Sequence, residues 1–342
     1  MNEIKPLTSI RGLFALYVAI YHIFPRANAF LANGYLSVDL FFILSGFIMS
    51  YVYNVKFSST IQIKDYLLYL KGRFARVYPL YAFIIIITSL FYLKNGIPTP
   101  NITEYVILFS FLQSILNVAN NLIPHAWSIA VEFIAYLIFP FSILLLSKRH
   151  RFISLTVVTL LAFTGLYLAS SKGYWGPLDV FSGGFSVVRC LSDYALGIVS
   201  FFALQTAREN LKGIALEIAL IFSIVFALAA LNFRGYDLLV VACFAVIVPL
   251  LSESQGIVYK LLSFSPLVYL GEISYSIYLI HYPLCRKLAF VTAWFHSKIW
   301  FIDVNYISLI MTIILSVFTY HFIEVPFRTF IRGSIKRTTT RA

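Results

Sequence analysis

Apolar residues occupy the chain in ten long runs, which short polar segments separate. In chain order, the runs cover residues 7–24, 35–53, 77–94, 126–147, 152–170, 188–206, 213–231, 236–252, 267–285 and 303–325. Their lengths match the roughly 20 residues that an α-helix needs to cross a bilayer, with allowance for tilt. An eleventh run, 102–116, is shorter and mixed with polar residues, so we expect an interfacial or partly buried helix there. The pattern predicts an all-α, polytopic integral membrane protein with about ten transmembrane helices.

Composition and charge agree with this fold class. Of the 342 residues, 60% are hydrophobic and only 12% are charged, and the mean hydropathy is +0.87. If the N-terminus is cytoplasmic and there are ten spans, 18 of the 26 Lys and Arg residues fall on the cytoplasmic side. This split follows the positive-inside rule and predicts that both termini are cytoplasmic. The net charge of +12 therefore reflects topology, and we expect no nucleic-acid partner.

The same pattern predicts the domain organisation. We expect one membrane domain over residues 1–328 and a basic cytoplasmic tail over residues 329–342, in contact with membrane lipids. Three cysteines lie in or beside apolar runs without the spacing of a metal site, so we expect no metal.

Arg11 and His22 lie eleven positions apart in the first span. Eleven steps of about 100° return to within roughly 20° of the start, so both side chains share a face, separated by about 16 Å. Ala15 and Val18 lie between them and predict a shallow groove along that face. Ionisable residues inside a membrane span indicate a functional site. The alternative is an arginine that extends to the headgroups and a histidine near the opposite interface.

Two further spans bring polar residues to the predicted depth of His22. Asp39 lies about one turn into the second span, where it could orient the imidazole or cap its own helix. The fourth span carries a polar stripe at spacings of three and four, with Trp127 beside it. The stripe consists of His125, Ser128, Glu132 and Tyr136. We expect this stripe in the outer half of the membrane with His22, although a structural hydrogen-bonded seam would show the same pattern.

Arginines mark the predicted cytoplasmic side. Arg73 and Arg76 are three residues apart and share a helix face, a spacing that suits bidentate contacts to phosphate. Ordinary positive-inside flanking or contact with anionic lipids is the alternative. Together with Arg11, these arginines predict a polyphosphate site. We also expect Glu324 to pair with an arginine of this cluster, and Arg189 to pair with Asp193 four residues later.

Together, these motifs resemble those of the acyltransferase-3 family of integral membrane acyltransferases over nearly the whole chain. The matching segments are the helix with Arg11 and His22, GYLSVDLFFILSGF at 34–47, GRFARVYP at 72–79, AWSIAVE at 126–132, ISYSIYLIH at 273–281 and EVP at 324–326. Each segment is weak alone, whereas their order and spacing together are specific. One departure is Ser37, which replaces a glycine that usually precedes the Val-Asp pair.

The resemblance implies a ten-helix membrane-bound O-acyltransferase of the bacterial cytoplasmic (inner) membrane. It implies transfer of an acyl group, usually acetyl from acetyl-CoA, to a hydroxyl of an extracytoplasmic glycan or lipid-linked saccharide, such as lipopolysaccharide O-antigen or exopolysaccharide. Because the chain ends soon after the tenth run, it resembles the stand-alone form of the family. The resemblance also implies that His22 is the catalytic base and that Arg11, Arg73 and Arg76 bind the acyl donor.

The predicted depths add further assignments to this site. We assign Glu132 and Asp39 to catalysis with His22, and the acceptor to Ser128, Trp127, Tyr275 and His281. The acyl donor would bind the arginines and extend along the Ala15 and Val18 groove. His22 would either deprotonate the acceptor hydroxyl or be acetylated first, and the sequence leaves both open.

Two other function classes fit part of the pattern. A proton-coupled transporter would also hold titratable residues within the membrane, but it more often shows repeated halves and broken helices, which this sequence lacks. A non-catalytic glycan export factor would not need the three arginines. Consumption of acetyl-CoA that depends on an acceptor would distinguish the enzyme from both.

Overall fold

A computed structural model describes residues 4–118, 122–146, 151–208, 211–287, 289–299 and 301–331, and this part of the chain is helical without a strand. The α-helices, in chain order, are α1 (Lys5–Ile23), α2 (Ala29–Ala32), α3 (Ser37–Phe57), α4 (Ile63–Lys94), α5 (Ile102–Phe109), α6 (Trp127–Leu146), α7 (Arg151–Ser170), α8 (Gly183–Ala207), α9 (Gly213–Ala230), α10 (Asp237–Glu253), α11 (Ile257–Leu262), α12 (Ser265–Glu272), α13 (Ser274–Tyr282), α14 (Ala289–Lys298) and α15 (Val304–Thr319). Most of the predicted tail, residues 332–342, lies outside the described residues.

Eight helical segments of the described chain are long and apolar enough to cross a membrane. They are Lys5–Ile23, Ala29–Phe57, Ile63–Lys94, Pro124–Leu146, Phe152–Ser170, Gly183–Ala207, Gly213–Ala230 and Val304–Ile331. The all-α, polytopic membrane fold is therefore confirmed. The predicted eighth run forms the 17-residue α10, and the predicted ninth run is divided between α12, α13 and a π-helical turn at Pro283–Lys287.

Helix α1 packs closely against α12 through two glycines. A Cβ atom on Gly12 would lie 2.5 Å from the backbone nitrogen of Gly271, and a Cβ on Gly271 would lie 1.9 Å from the carbonyl oxygen of Thr8. Small residues allow such a close approach of two backbones in a membrane protein. The contact places Arg11, the neighbour of Gly12, beside the junction of α12 and α13.

Helices α3 and α8 make a second close contact, again through two glycines. A Cβ on Gly46 would lie 2.1 Å from the carbonyl oxygen of Tyr194, and a Cβ on Gly197 would lie 2.0 Å from that of Ile43. Because both glycines lack a side chain, the two helices run against each other over a long buried seam. This seam brings polar residues of α3 within reach of polar residues of α8.

Helix α4 is longer than the predicted third span. It has 32 residues, contains Pro79 and would extend about 48 Å if straight. Arg73 and Arg76 therefore lie on this continuous helix, in agreement with the helical spacing predicted for them. The predicted interfacial run 102–116 is helical only over Ile102–Phe109.

Candidate active site

Two cavities lie between the helices, and we name each after the side chains that characterise it. The histidine cavity has a volume of about 380 Å³ and the arginine cavity one of about 270 Å³. The histidine cavity is lined by Val18, Tyr21, His22, Arg26, Tyr35, Val38, Pro124, His125, Trp127, Tyr174, Trp175, Asp179, Phe181, Arg189, Tyr278, Tyr282 and Arg286. The arginine cavity is lined by Arg11, Val38, Phe41, Phe42, Leu44, Ser45, Ile48, Met49, Arg73, Arg76, Val77, Ser128, Ile129, Glu132, Tyr136, Ser274, Tyr275 and Tyr278.

Val38 and Tyr278 line both cavities and form the wall between them. The Tyr278 hydroxyl donates to the carbonyl oxygen of His125 at 2.8 Å, and it lies 2.6 Å from Oγ of Ser128. Because the Tyr278 hydroxyl donates its only proton to the carbonyl oxygen of His125, Ser128 is the donor in the second hydrogen bond. Two hydrogen bonds therefore fix the Tyr278 side of the wall.

The imidazole of His22 is held by its Nδ1 atom. This nitrogen lies 2.9 Å from the carbonyl oxygen of Val18 and 3.2 Å from Nε2 of His281. Nδ1 of His281 in turn lies 3.1 Å from the carbonyl oxygen of Ile277. Because a carbonyl oxygen only accepts, both rings carry their proton on Nδ1. Nε2 of His22 then has a free lone pair in the wall of the histidine cavity, as a base requires.

His281 lies behind His22 rather than in the cavity. Its side chain is fully buried and contacts His22, and its predicted contact with the acceptor stays a prediction. The sequence could not show that α1 covers this side chain. In the described part of the chain, no group of three or more His, Cys, Asp or Glu side chains is placed to bind a metal ion.

His125 is a third histidine at the cavity, which sequence reasoning left without a role. Its ring lies 5.1 Å from that of His281 and stacks on Tyr282 at the same distance. Nε2 lies 3.3 Å from the carbonyl oxygen of Leu279, whereas the buried Nδ1 has no hydrogen-bond partner among the described residues. In the sequence, His125 directly follows Pro124, which begins the 3₁₀ turn Pro124–Ala126.

Asp39 binds Arg189, and the described residues show no contact between Asp39 and His22. Of the two roles that the sequence left open, orientation of the imidazole is therefore not seen, whereas Asp39 does lie in the first turn of its own helix, α3. Its carboxylate accepts from Nε of Arg189 at 2.8 Å and from a terminal guanidinium nitrogen at 2.5 Å. The expected pairing of Arg189 with Asp193 is wrong, because the close contact of α3 and α8 brings Asp39 within reach. Arg189 lies 5.5 Å from the ring of Trp127. Trp127 lines the histidine cavity, and its predicted contact with the acceptor stays a prediction.

The three predicted arginines line one cavity, and neighbouring groups position two of them. Arg11 donates from Nε to Oγ of Ser274 and from its terminal nitrogen to the carbonyl oxygen of Gly271, both at 2.9 Å. Arg76 lies 3.7 Å from the buried carboxylate of Glu324, which confirms the predicted pairing of Glu324. Arg73 lies in the same cavity wall. A cluster of guanidinium groups in a cavity suits an anionic, phosphate-bearing ligand.

Glu132, Ser128 and Tyr275 also line the arginine cavity, although we expected all three on the side of His22. Glu132 accepts from the Tyr136 hydroxyl at 2.6 Å, and Tyr275 donates to the carbonyl oxygen of Val77 at 2.6 Å. The polar stripe from His125 to Tyr136 covers eleven residue steps and therefore about 16 Å. Its first end reaches one cavity and its remainder the other, so the assumption of one depth for the whole stripe was wrong.

The predicted groove between Arg11 and His22 is filled. Ala15 is fully buried, and it belongs to a cluster that includes Ile273 and Ile277. The direct route along α1 is therefore occupied by α12 and α13. The cavities instead approach each other at Val38 and Tyr278.

A short loop between α7 and α8 closes one side of the histidine cavity. Asp179 accepts from the backbone nitrogen of Trp175 at 3.3 Å, and burial raises the pKa of Asp179. The backbone nitrogen of Leu178 and the Tyr35 hydroxyl donate to Asp237 at 2.8 and 2.7 Å. The loop is thus fixed on the helices, and it places Trp175 at the cavity.

Comparison with known proteins agrees with this arrangement of motifs. A family model described as an acyltransferase domain, of the Acyl_transf_3 type, matches residues 6–321. The chain is 25% identical over 354 aligned positions to O-acetyltransferase OatA of Staphylococcus aureus, in strains NCTC 8325 / PS 47 and COL alike. The alignment covers 94% of this chain and 57% of each relative, so the chain spans less than three fifths of their length. No solved structure matches. On the extent of the family match, the chain belongs to the acyltransferase-3 family of integral membrane acyltransferases.

Proposed function

We propose that this protein transfers an acetyl group from acetyl-CoA, bound in the arginine cavity, to a hydroxyl of a glycan in the histidine cavity. The observation that carries the proposal is the pair of cavities with a common wall at Val38 and Tyr278. One cavity offers cations for the phosphates of CoA, and the other offers a base. The names of the relatives, O-acetyltransferases, support the choice of an acetyl group and an oxygen acceptor.

On the donor side, Arg11, Arg73 and Arg76 bind the CoA phosphates. Charge-assisted hydrogen bonds from guanidinium groups to phosphate are short and directional, so they fix the orientation of the donor as well as its affinity. The apolar part of the same cavity includes Phe41, Ile48 and Met49, which suit the pantetheine arm. The thioester then lies at the wall that the two cavities share.

On the acceptor side, Nε2 of His22 removes the proton from the glycan hydroxyl. The oxygen attacks the thioester carbonyl, the carbon–sulfur bond breaks, and the CoA thiolate takes a proton from the imidazolium. His281 holds the proton of His22 on Nδ1, so that Nε2 is the basic nitrogen in each cycle. The transfer reaction needs no reagent beyond acetyl-CoA and the glycan hydroxyl.

We place the arginine cavity on the cytoplasmic side of the inner membrane. The asymmetric distribution of Lys and Arg supports this orientation, which also places both termini in the cytoplasm. Acetyl-CoA is then taken from the cytosol, and the glycan or lipid-linked saccharide approaches from the opposite side. Thiol labelling of the variants Lys5→Cys and Trp175→Cys in intact cells tests the orientation. Only Trp175→Cys is expected to react with an impermeant reagent.

The decisive experiment measures acceptor-dependent thiol release from acetyl-CoA by the purified protein in lipid nanodiscs. His22→Gln should reduce transfer at least about 100-fold, because general-base catalysis contributes about that much. His321→Gln is the matched control, since His321 lines neither cavity. Near-normal transfer by His22→Gln, or equal losses in both variants, would refute the proposed chemistry.

A further inference from the structure

Two arginines flank His22 in the histidine cavity, and the proposed mechanism uses neither. Arg26 lies just beyond α1, with its guanidinium carbon 4.2 Å from the ring centre of Tyr21 and 4.5 Å from that of Trp175. Arg286 donates to the carbonyl oxygen of His22 at 3.4 Å. Contacts with the cavity wall therefore hold both arginines and leave most of their N–H donors available.

Neither arginine has a direct ion-pair partner among the described residues. No carboxylate of the described residues lies within ion-pair distance of Arg26 or Arg286. The third arginine of this cavity, Arg189, is neutralised by Asp39. The one acidic residue in the cavity lining is Asp179, which is buried and hydrogen-bonded to its own loop. The cavity around His22 therefore has an excess of positive charge.

The cavity mouth also presents aromatic rings. Tyr174 and Trp175 line the cavity and are 71% and 58% exposed. Because both rings also line the cavity, they can contact a ligand that enters it. Their flat apolar faces suit the apolar face of a sugar ring, and the stacked guanidinium of Arg26 lies directly beside Trp175. The structure thus combines a surface for a sugar ring with cations for an anion.

We infer that the acceptor is an anionic saccharide, and that Arg26 and Arg286 bind its carboxylate or phosphate group beside the reacting hydroxyl. This inference rests on the proposed function and names its acceptor class. Arg286 contacts the backbone of His22 itself, and Arg26 follows His22 by four residues. Both arginines line the same cavity as His22, so an anion held between them orients the acceptor as well as binding it.

The test compares three trisaccharides that differ only in charge: a neutral glucose trisaccharide, its counterpart with a terminal glucuronate, and its counterpart with a 6-phosphate. Calorimetry measures their affinity for the protein in phosphatidylcholine nanodiscs without acetyl-CoA. We expect at least one charged trisaccharide to bind at least about tenfold more tightly than the neutral one, and its identity distinguishes carboxylate from phosphate. Arg26→Gln and Arg286→Gln should each reduce this difference, and the double variant should abolish it.

Lys172→Gln is the matched control, because Lys172 carries the same charge near the loop without lining the cavity. It should leave the difference unchanged. Equal binding of all three trisaccharides, or a difference that survives in the double variant or appears only with anionic lipid in the nanodisc, would overturn the inference. The exposed Arg286→Gln change keeps the test valid if Arg26→Gln misfolds. Since no acetyl-CoA is present, failure of the His22 chemistry would leave this result unaffected, and the two proposals fail independently.

Discussion

Arg189 binds both carboxylate oxygens of Asp39, at 2.8 and 2.5 Å, and so joins α8 to α3 behind the histidine cavity. Both side chains are almost completely buried. A buried ion pair of this geometry specifies how two helices meet, and loss of one partner leaves an uncompensated charge. Because Arg189 also contacts the ring of Trp127, the pair positions the cavity wall rather than the base.

Asp39→Leu should therefore destabilise the protein, by about 3–5 kcal/mol on the scale of broken buried pairs. The thermal midpoint in detergent measures the effect. The double variant Asp39→Leu with Arg189→Met should recover part of the loss, because it removes the orphaned charge. Asp303→Asn is the control, because Asp303 is an exposed helix cap outside this ion pair. An unchanged thermal midpoint in Asp39→Leu would show that the pair does not stabilise the fold.

His281 should affect turnover rather than binding. It contacts His22 but is fully buried, so His281→Asn should lower kcat at least about tenfold through the orientation of the base. The KM values for acetyl-CoA and for the glycan should stay within about twofold of the wild type. Steady-state kinetics with each substrate varied in turn separates these parameters. A raised KM for the glycan with normal kcat would instead place His281 in contact with the acceptor.

The sequence predicted the class of fold, the histidine base and the arginine cluster. It did not show how these groups are arranged between the helices. Helix periodicity correctly gave the shared face of Arg11 and His22, because that relation is local to one helix. The partner of Asp39 depends on the contact of Gly46 with α8, a relation between helices that no spacing along the chain shows. Ala15 was expected in a groove for the same cause, because its spacing along α1 does not show that Ile273 and Ile277 pack over it.

The sequence also does not show how deep each polar side chain of a span lies in the membrane. Assigning a whole span to one side of the membrane ignores the 1.5 Å rise of each residue. His125 and Glu132 are seven residues apart, which is about 10 Å along the helix, and they line different cavities. Arg26 and Arg286 entered only the count of Lys and Arg residues, because their positions in the wall of the histidine cavity depend on how the segments after α1 and after α13 pack.

Glu132→Gln should change the binding of acetyl-CoA rather than that of the glycan. Glu132 lines the cavity that holds Arg73 and Arg76, where its carboxylate repels the phosphates of the acyl donor. Removal of the charge should tighten CoA binding about threefold or more, while acceptor affinity stays unchanged. Calorimetric titration with CoA and with the glycan measures both. Glu253→Gln, which lies outside both cavities, is the control, and a selective loss of glycan binding in Glu132→Gln would contradict the assignment.

Asp179 should make stability depend on pH. Burial raises its pKa above the ordinary value of 3.8, so the folded state binds the proton more tightly than the unfolded state. Its contribution to stability is then present below about pH 4 and is lost as the pH rises through the raised pKa. Asp179→Asn keeps an acceptor for the backbone nitrogen of Trp175 and has no charge. Its thermal midpoint should exceed that of the wild type at pH 7 and approach it near pH 4, whereas Asp303→Asn, at an exposed helix cap, should show no such trend.

The wall between the cavities should control transfer without controlling binding. The Tyr278 hydroxyl is fixed by two hydrogen bonds, whereas Val38 closes the wall only with its small side chain. We therefore expect the acetyl group to cross beside Val38. Val38→Phe should leave the affinities for CoA and for the glycan within about threefold of the wild type, yet reduce transfer at least about 100-fold, because misplacement of reacting groups by about 1 Å costs that much.

Val38→Ala is the matched variant, since it opens the wall instead of closing it. It should retain transfer and increase the slow hydrolysis of acetyl-CoA without acceptor, because water can then reach the thioester. Thermal midpoints identify any loss due to overpacking, which costs about 1–3 kcal/mol in a well-packed core. If Val38→Phe folds, binds both substrates and transfers acetyl at the normal rate, the two cavities do not communicate at Val38, and the path must lie elsewhere.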